Sequence, residues 1–322
     1  MCTATQPMLL DKALEILQQP EIEFAAVAGR CQVLMPPTEE PVSWEALSEE
    51  LRTHDQVMAI VHRRDDAQHL AQLVGNDCLH LSARMCAIHR SEVLAEVKRR
   101  LKAREPCRLV ATQLVEAGVD VDFPHVYRAF AGADSLAQAA GRCNREGKGN
   151  GLLHVFISPS EPPRGILRTA ERLARAMWRE GSLDLTVPGT FREYFSRLHP
   201  LGEQDGPGVI AAEREQRFVD VAELFQMIEQ TGQAVVAPYD DEWGQRVEEI
   251  RRFGISRGRM RRLQPRMVNL YRQEIETLVS AGALERIQDT FWVVTPGFRV
   301  YDARWGFGWQ GPLAFEPADL IA

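Results

Sequence analysis

The sequence lacks the features that define several classes of protein. It has no apolar run of the length that a membrane-spanning helix needs, and its first twenty residues carry Asp11 and Glu15 without the basic segment that opens a signal peptide. No Cys-x-x-Cys pair occurs among its six cysteines, and no two of them lie with a histidine at zinc-ligand spacing. We therefore expect a cytoplasmic protein with buried, reduced thiols and no metal bound by this chain alone.

Basic charge is scarce as well, since the formal net charge is −7. This excess of acidic residues argues against a protein that binds nucleic acid over its whole surface. Two segments are nevertheless basic. Residues 84–108 hold eight basic residues against three glutamates, and residues 246–266 hold eight arginines against two glutamates. Each segment is either the solvated face of a helix, which is the commoner case, or a surface that contacts phosphates.

The sequence does contain enough apolar residues, 45%, for a substantial core. Short apolar runs predict buried strands, and amphipathic segments between them predict helices. The predicted strands lie at 56–62, 79–82, 107–112, 125–130 and 152–158. This alternation predicts an α/β fold, in which a parallel sheet is flanked by helices and ligands bind at the carboxyl ends of the strands.

The pattern changes after Ser158. A proline-rich linker is followed by a predicted helix over 166–179, and residues 211–230 predict a long amphipathic helix. A strand at AVVAPY, the basic helical segment and three short strands near LERI, TFWVVT and FRVYD come next. These elements predict a smaller α+β domain at the C-terminal end.

One predicted helix carries a polar face beside an apolar one. It begins at Asp134, and helical spacing places Gln138, Gly141, Arg142 and Arg145 on one side. A glycine inside a helix costs about 1 kcal/mol relative to alanine, which is tolerated best where a ligand approaches the backbone. In isolation, a solvated arginine face with an incidental glycine is the commoner explanation of the pattern.

A second polar cluster precedes this helix, in the segment VATQLVEAGVDVDFP. Thr112 ends a predicted strand, and a turn through Gly118 leads to Asp120 and Asp122. A hydroxyl at a strand end suits a phosphate oxygen, and a carboxylate after a glycine turn suits a ribose hydroxyl or an ordered water. A solvated turn before the following proline is the alternative interpretation.

These two segments together carry a resemblance. Residues 112–122 resemble motif V of superfamily-2 helicases, and QAAGRCNR at 138–145 resembles their motif VI, Q-x-x-G-R-x-x-R. The run from LSARMC to GRCNREG resembles the second RecA-like lobe of the CRISPR-associated helicase-nuclease of type I interference systems, subtype C. RRLQPRMVNLY and RVYDARWGF are similar to the C-terminal domain of that family. The resemblance is most specific over residues 80–150.

The resemblance implies roles at a nucleotide. In the family, ATP and Mg²⁺ lie between two RecA-like lobes, and the second lobe supplies arginine fingers that stabilise charge on the γ-phosphate. The implied catalytic residues are Arg142, Arg145 and Gln138, and the implied cofactor-binding residues are Gly118, Asp120 and Gly141. ATP and Mg²⁺ would be shared with the first lobe.

The resemblance also implies contacts with DNA and with other proteins. Thr112, Gln113, Ser82 and Arg84 would contact nucleic acid, and the basic residues 246–266 are a further candidate for the strand. The implied partners are single-stranded DNA, an RNA-guided CRISPR surveillance complex, and the first helicase lobe with its HD nuclease domain.

The first residues fit the same interpretation. Thr3-Ala4-Thr5 resembles motif III, which lies near the end of the first lobe. The sequence has no Walker A motif: the nearest string, 141–149, has the wrong glycine spacing and lacks the Ser or Thr that binds Mg²⁺. It has no D-E-x-H or D-E-x-D box either, and His54-Asp55 is interpreted as a surface turn. We expect a C-terminal portion of an enzyme that is inactive alone.

This interpretation divides the chain into four parts. Residues 1–40 are a remnant of the first lobe with its linker, and residues 41–160 are the second RecA-like lobe. Residues 161–208 form a helical linker, and residues 209–322 form the C-terminal α+β domain. The alternative hypothesis is a non-catalytic module that binds single-stranded DNA or a partner. An independent nucleotide-binding enzyme is disfavoured, because no phosphate loop occurs.

Overall fold

A computed structural model of the chain describes residues 29–201, 208–225 and 232–308, together with residues 19, 22 and 24. Thr3-Ala4-Thr5 and Cys2 lie outside the described residues, as does most of the part predicted at 1–40. The five cysteines within the described ranges are all buried and unpaired. The prediction of buried, reduced thiols is confirmed for these five.

The main element is a six-stranded sheet with the order β1-β6-β5-β2-β4-β3. Its strands are β1 (Cys31–Leu34), β2 (Gln56–Val61), β3 (Cys78–Leu81), β4 (Cys107–Thr112), β5 (His125–Ala129) and β6 (Gly151–Phe156). Strand β6 pairs in parallel with β1 and β5, β2 with β5, and β3 with β4. Strand β2 is buried from Val57 to Val61, as expected where helices cover both faces of a sheet.

Helices connect these strands. They are α1 (Trp44–Arg52), α2 (Arg64–Val74), α3 (Ala87–Ala103) and α4 (Ala133–Ala140). Parallel strands need such crossovers, because each strand must return to the same edge of the sheet before the next begins. The predicted fold class is confirmed: a RecA-like parallel sheet flanked by helices is followed by a smaller region with its own sheet.

The chain forms two compact units that interleave in sequence. One comprises residues 1–63 and 115–229, and the other comprises residues 64–114 and 230–322. The first unit contains β1, β2, β5 and β6 with α1 and α4. It continues with α5 (Ile166–Arg179), α6 (Pro188–Leu198), α7 (Val209–Arg214) and α8 (Phe218–Leu224).

The second unit contains α2, β3, α3 and β4 and then a second sheet with the order β8-β7-β10-β9. Its further strands are β7 (Gly232–Val236), β8 (Met267–Tyr271), β9 (Leu284–Ile287), β10 (Phe291–Val294), β11 (Tyr301–Asp302) and β12 (Gly306–Phe307). Its further helices are α9 (Glu242–Phe253), α10 (Arg257–Leu263) and α11 (Arg272–Ser280).

The two faces of this second sheet form separate cores. On one face, Val235 and Val294 pack with residues of α11 such as Ile275. On the other face, Val236 packs with Ile250 of α9 and with α10. Alternate residues of a strand point to opposite faces, so α11 lies on one side of the sheet and α9 with α10 lies on the other.

Several predicted boundaries differ from the structure. Strand β1 pairs with β6, so the parallel sheet begins before the boundary predicted at residue 41. The single helix predicted over 211–230 is wrong in its described part, because Gln216 has φ +56 and separates α7 from α8. Among the helices of the described ranges, none has the length and apolarity to span a bilayer.

Candidate nucleotide-binding site

Two loops that contain most of the predicted site residues are joined by backbone hydrogen bonds. The amide of Phe123 donates to the carbonyl oxygen of Arg142 at 3.0 Å, and the amide of Asn144 donates to the carbonyl oxygen of Phe123 at 3.0 Å. Phe123 and Cys143 form a parallel bridge. The segment after Gly118 and the segment after α4 therefore form one structural unit within the first compact unit.

Asp122 fixes the second of these loops. Its Oδ1 accepts a hydrogen bond from the amide of Arg145 at 2.7 Å, and its Oδ2 accepts one from the amide of Glu146 at 3.1 Å. A carboxylate that accepts two backbone N–H groups holds the loop by charge-assisted hydrogen bonds. Asp122 thus positions Arg145, and a ribose or water ligand is not needed to explain its place in the sequence.

The prediction that Gln138, Gly141, Arg142 and Arg145 share one helical face is wrong, because α4 ends at Ala140. Gly141 caps the helix at φ −66° and ψ −4° and is not a mid-helix residue. Asn144 follows with φ +47°, a left-handed conformation that a helix cannot contain. Its side chain donates to the carbonyl oxygen of Arg30 at 2.7 Å and also bonds to Gly149. Because the chain leaves the helix here, Gln138 and Arg145 do not share one helical face.

Arg145 lies at the exposed tip of this loop. Its side chain is 46% exposed, and its guanidinium forms an ion pair with Asp120, whose side chain is 75% exposed. Two such exposed groups form a weak ion pair, so an anion with several charges can displace the Asp120 carboxylate from Arg145 at small cost. The structure brings these two predicted residues together as an ion pair, while the predicted contact of Asp120 with ribose stays a prediction.

Arg142 lies deeper and contacts backbone. Its Nε donates to the carbonyl oxygen of Val115 at 3.0 Å and its Nη2 donates to that of Glu116 at 2.7 Å. Burial lowers the pKa of Arg142, and the nearby positive charge of Arg145 lowers it further. The guanidinium therefore ties the loop after α4 to the segment that follows β4.

A buried ion pair supports that segment, and sequence reasoning missed it. Arg128, the fourth residue of β5, pairs through Nε with Glu116 Oε1 at 2.7 Å, and the two side chains are 2% and 6% exposed. Ser135 Oγ donates to Glu116 Oε2 at 2.7 Å and accepts from Arg128 Nη2 at 3.2 Å. Burial raises the pKa of Glu116 and lowers the pKa of Arg128. The signal in the sequence was an arginine inside an apolar strand.

The other residues predicted to contact the nucleotide, Gly118, Gln138 and Gly141, lie at the ends of these loops. Gly118 has φ +73°, and a side chain there would meet no atom within 4 Å, so the turn requires glycine for its conformation and leaves open space above it. Gln138 is half-buried near the end of α4, and Gly141 is exposed. A methyl group at Gly141 would make ordinary contacts, so packing does not require this glycine.

The residues predicted to contact nucleic acid belong to the second compact unit. Thr112 ends β4 and is 4% exposed, and Gln113 begins the short 3₁₀ turn that follows. Ser82 is fully buried, and its hydroxyl oxygen lies 3.0 Å from Nε2 of His80 and accepts from the amide of Arg84 at 3.3 Å. The hydroxyl of Ser82 is therefore hydrogen-bonded within the protein.

Arg84 is also committed to internal contacts. It pairs with Asp65 at 2.5 Å and with Glu274 at 3.5 Å, and its Nη1 donates to the carbonyl oxygen of Phe307 at 3.3 Å. Its side chain is 9% exposed. Burial and pairing speak against the prediction that Ser82 and Arg84 contact a DNA strand directly, because a phosphate would have to replace several satisfied hydrogen bonds.

The dipeptide His54-Asp55 is not simply a surface turn. His54 stacks on His125 with ring centroids 4.0 Å apart and bonds to the hydroxyl of Tyr127 at 3.1 Å, while Asp55 is exposed. His54 is therefore half-buried by an aromatic cluster. Within the described part of the chain, no three His, Cys, Asp or Glu side chains are grouped as a metal ion would require.

Sequence comparison relates the central part of the chain to a known family. Residues 53–148 match the family described as CRISPR-associated nuclease/helicase Cas3, C-terminal. A protein of Haloferax volcanii named CRISPR-associated nuclease/helicase Cas3 is 43% identical over 121 residues, which are 36% of this chain. The match spans 13% of the length of that relative. The family match over residues 53–148 includes all the residues predicted to contact the nucleotide.

Comparison of structures finds more distant similarities. A structure of T. fusca Cas3 with ATP has 17% sequence identity and a TM-score of 0.47, and the similarity covers 75% of this chain and 35% of that one. A chain from a CRISPR RNA-guided surveillance complex in a pre-nicking state has 17% identity and a TM-score of 0.46, over 74% of this chain and 37% of its own.

Proposed function

We propose that this chain is the C-terminal part of an ATP-dependent superfamily-2 DNA helicase or translocase-nuclease of CRISPR antiviral defence, of subtype C. It would comprise the second RecA-like lobe and the C-terminal domain. The family match over residues 53–148 supports the proposal, because that region holds all the residues of the candidate nucleotide-binding site.

The observation that carries the proposal is the construction of the Arg145 loop. Asp122 fixes the backbone at Arg145 and Glu146 through their two amides, and Asn144 fixes the preceding turn, yet the side chain of Arg145 remains 46% exposed. A rigid backbone with a solvent-accessible guanidinium is what an arginine finger requires, since the charge must reach a phosphate without reorganising the loop.

The residues of this site fit a polyphosphate. The open turn at Gly118 leaves space, and the exposed pair of Arg145 with Asp120 offers a cation to an anion that displaces the carboxylate. ATP would supply the phosphoryl group, and Mg²⁺ would neutralise its oxygens. Arg145 and Arg142 would stabilise charge on the γ-phosphate, and Gln138 would orient the nucleotide or a water.

Hydrolysis would require groups that these residues do not include. The sequence has no Walker A motif, and the described residues group no metal ligands. We infer that a first lobe, in the same polypeptide or a separate one, holds the β- and γ-phosphates and Mg²⁺. Single-stranded DNA, an HD nuclease domain and an RNA-guided surveillance complex are the proposed partners, with Thr112 and Gln113 near the DNA.

An ATPase reconstitution tests the proposal. The chain is mixed with a first helicase lobe that carries a Walker A motif, and ATP turnover is measured with single-stranded DNA. Neither component should turn over ATP alone, and the mixture should. Arg145→Ala in the chain should lower the rate by about 10³-fold or more, the range typical of arginine fingers.

The matched control is Arg197, an exposed arginine of the same unit that is also ion-paired. Arg197→Ala should leave turnover unchanged. Normal turnover by the Arg145→Ala mixture would refute the finger assignment. The alternative function is a non-catalytic DNA-binding or interaction module, and it is supported by the hydrogen bonds of Arg142 to two backbone carbonyls. It predicts no turnover from any mixture.

A further inference from the structure

Two of the described cysteines lie beside the loop that carries Arg145. Cys31 is the first residue of β1, at an edge of the six-stranded sheet, and Cys143 lies two residues before Arg145. The two cysteines are 7% and 1% exposed, and both are free thiols in this structure. The proposed ATP chemistry uses neither of them.

Strand pairing brings the two cysteines to one point of the sheet. Cys31 pairs with Gly151 of β6 in parallel register, so the backbones of these two residues are neighbours. A methyl group on Gly151 would lie only 2.8 Å from Cys143 Sγ, which is too close for a real contact. The sulfur of Cys143 therefore occupies the space that a side chain at Gly151 would fill, next to Cys31.

Polar contacts hold the chain on either side of the two thiols. The carbonyl oxygen of Arg30 accepts a hydrogen bond from the side chain of Asn144 at 2.7 Å. The same oxygen accepts one from the amide of Gly151 at 3.3 Å. Arg30 directly precedes Cys31, and Asn144 directly follows Cys143. The neighbours of the two thiols are thus bonded to each other without a covalent link.

The two thiols differ in acidity because they contact each other. A hydrogen bond from the Cys143 thiol lowers the pKa of Cys31, against the effect of its burial. The same hydrogen bond raises the pKa of Cys143, and burial and the negative charges of Cys31 and Asp122 raise it further. Cys31 is therefore the sulfur that ionises, while Cys143 stays protonated beside it. A nucleophilic cysteine next to a second cysteine is the arrangement of a reversible redox pair.

We propose that Cys31 and Cys143 form a reversible disulfide when the protein meets a peroxide, and that this bond displaces the loop of Arg145. The expected effect on ATP turnover rests on the finger role proposed for Arg145. The disulfide itself does not depend on that role.

The reaction balances with hydrogen peroxide as the oxidant. The Cys31 thiolate attacks the O–O bond, so an S–O bond forms and the leaving hydroxide takes up the thiol proton as water. Cys143 then attacks the sulfenic acid on Cys31: the S–S bond forms, the S–O bond breaks, and hydroxide leaves with the Cys143 proton as a second water. Two electrons pass from the sulfurs to the peroxide. The charge of the Cys31 thiolate is gone after the first step, so it no longer holds the proton on Cys143.

The disulfide alters the loop because Cys143 lies between two fixed neighbours. Sulfur atoms in a disulfide are about 2.05 Å apart, closer than in a hydrogen bond, so the new bond draws Cys143 toward β1. Arg142 is held by two backbone carbonyls, and Asn144 is held at φ +47°. The backbone between them has to shift. A displacement of about 1 Å at a catalytic group can lower a rate about 10²-fold.

Thiol chemistry tests the pair directly. The full chain with Cys2→Ser is treated with hydrogen peroxide, and its free thiols and disulfide-linked peptides are measured by mass spectrometry without reductant. Two thiols should disappear together, with one link between the peptides of Cys31 and Cys143, and dithiothreitol should restore both. Cys143→Ser should stop at a sulfenic acid on Cys31, which dimedone labels.

A second pair of buried cysteines is the matched control. Cys78 and Cys107 begin the neighbouring strands β3 and β4. Cys78 pairs with Arg108, so the side chain of Cys107 points to the other face of the sheet. Burial raises the pKa of Cys78 to about 12 and that of Cys107 to about 11. Neither should react at the same peroxide concentration, and Cys107→Ser should still form the link between Cys31 and Cys143.

Turnover and stability report the effect on the loop. The chain is oxidised, freed of peroxide and then added to the ATPase reconstitution. Turnover should fall about 10²-fold and recover with dithiothreitol, whereas Cys31→Ser should be unaffected by the treatment. The oxidised chain should also unfold at a higher urea concentration than the reduced chain, because a disulfide restricts the unfolded state. Cys31→Ser should show no such shift.

Three results would overturn the proposal: no link between Cys31 and Cys143, an equally fast loss of the Cys78 and Cys107 thiols, or turnover that stays constant after the link has formed. Failure of the proposed enzyme looks different. A link that forms while the reconstituted mixture hydrolyses no ATP would support the redox pair and refute the enzyme. Restored ATPase in a chain that never forms the link would do the reverse.

Discussion

Glu116 contacts two arginines through different groups. Its carboxylate pairs with the fully buried Arg128, and its carbonyl oxygen accepts a hydrogen bond from Arg142. An ion pair in such a site is a weak source of net stability, since both charges lose their hydration. Its effect is to fix one conformation of the segment that holds Arg142 in place.

At the residue scale, we predict that Glu116→Gln strongly destabilises the protein. The substitution leaves the charge of Arg128 buried without a counter-ion, which should lower the free energy of unfolding by about 3–5 kcal/mol in urea denaturation followed by circular dichroism. The double variant Glu116→Leu with Arg128→Met removes both charges and should be more stable than the single variant. If Glu116→Gln unfolds at the wild-type urea concentration, the pair does not fix the segment.

The sequence was informative about some residues and not about others. The motif that resembles Q-x-x-G-R-x-x-R picked out Arg142 and Arg145, because both are tied to a recognisable spacing. It could not reveal that Arg142 would bond to backbone carbonyls, since that depends on a loop more than twenty residues earlier in the chain. Ser82 and Arg84 show the same limit, because burial is a property of the folded neighbourhood.

At the scale of elements, strands were easier to predict than helix ends. The five strands predicted for the parallel sheet correspond to β2 through β6, because short apolar runs mark strands that are buried on both faces. The helix at 166–179 is also confirmed with its bounds. The end of α4 was missed, since Asn144 adopts its left-handed conformation through side-chain bonds to Arg30 and Gly149 that sequence spacing does not encode.

The short hairpin of β11 and β12 allows a prediction at the same scale. Gly306 has φ +78°, and a methyl group on it would overlap the carbonyl of Arg84, which accepts a hydrogen bond from the amide of Phe307 at 2.9 Å. We expect Gly306→Ala to lower the free energy of unfolding by about 3 kcal/mol or more, because the backbone is strained and this hydrogen bond breaks.

A second glycine separates the two causes. Gly297 has φ +89°, but a methyl group there would meet no atom within 4 Å. Gly297→Ala should therefore cost only the left-handed conformation, about 1–2 kcal/mol. Equal losses of stability in the two variants, measured by urea denaturation, would mean that the close approach of the hairpin to Arg84 has no energetic weight.

At the scale of the whole molecule, the sequence pointed to a parallel sheet followed by a smaller domain, and this architecture is confirmed. The interleaving of the two compact units was not predictable from linear boundaries. Residues 64–114 group with residues 230–322, which follow them after a long interval. Interactions such as that of Arg84 with Glu274 produce this grouping, and only three-dimensional structure reveals them.

Buried histidines in both units predict acid sensitivity of the whole molecule. Burial lowers the pKa of His62 to about 3 and that of His80 to about 3. In the unfolded chain each histidine should have its ordinary pKa of about 6.5. Below that pH, the unfolded state therefore binds protons that the folded state does not bind. Stability should therefore be complete above pH about 6.5 and fall as the pH drops toward about 3, by up to about 1.4 kcal/mol per pH unit for each histidine.

Urea midpoints at pH 7, 6 and 5 check this prediction. His62 Nε2 donates a hydrogen bond to the carbonyl oxygen of Phe130 at 2.9 Å, because a carbonyl oxygen can only accept. His62→Gln retains a donor that does not titrate, so its stability should depend less steeply on pH than that of the wild type. A wild-type midpoint that is constant from pH 7 to pH 5 would contradict the assignment.

The ion pair between Arg145 and Asp120 determines how much charge an anion needs in order to bind at the loop. A singly charged anion that replaces the Asp120 carboxylate only exchanges one negative charge for another. It also binds less favourably than Asp120, which belongs to the same chain and is already held close to Arg145. An anion with several charges gains more than it displaces. The ion pair therefore selects anions by their charge before their shape matters, and chloride or acetate in the surrounding solution would leave Arg145 paired with Asp120.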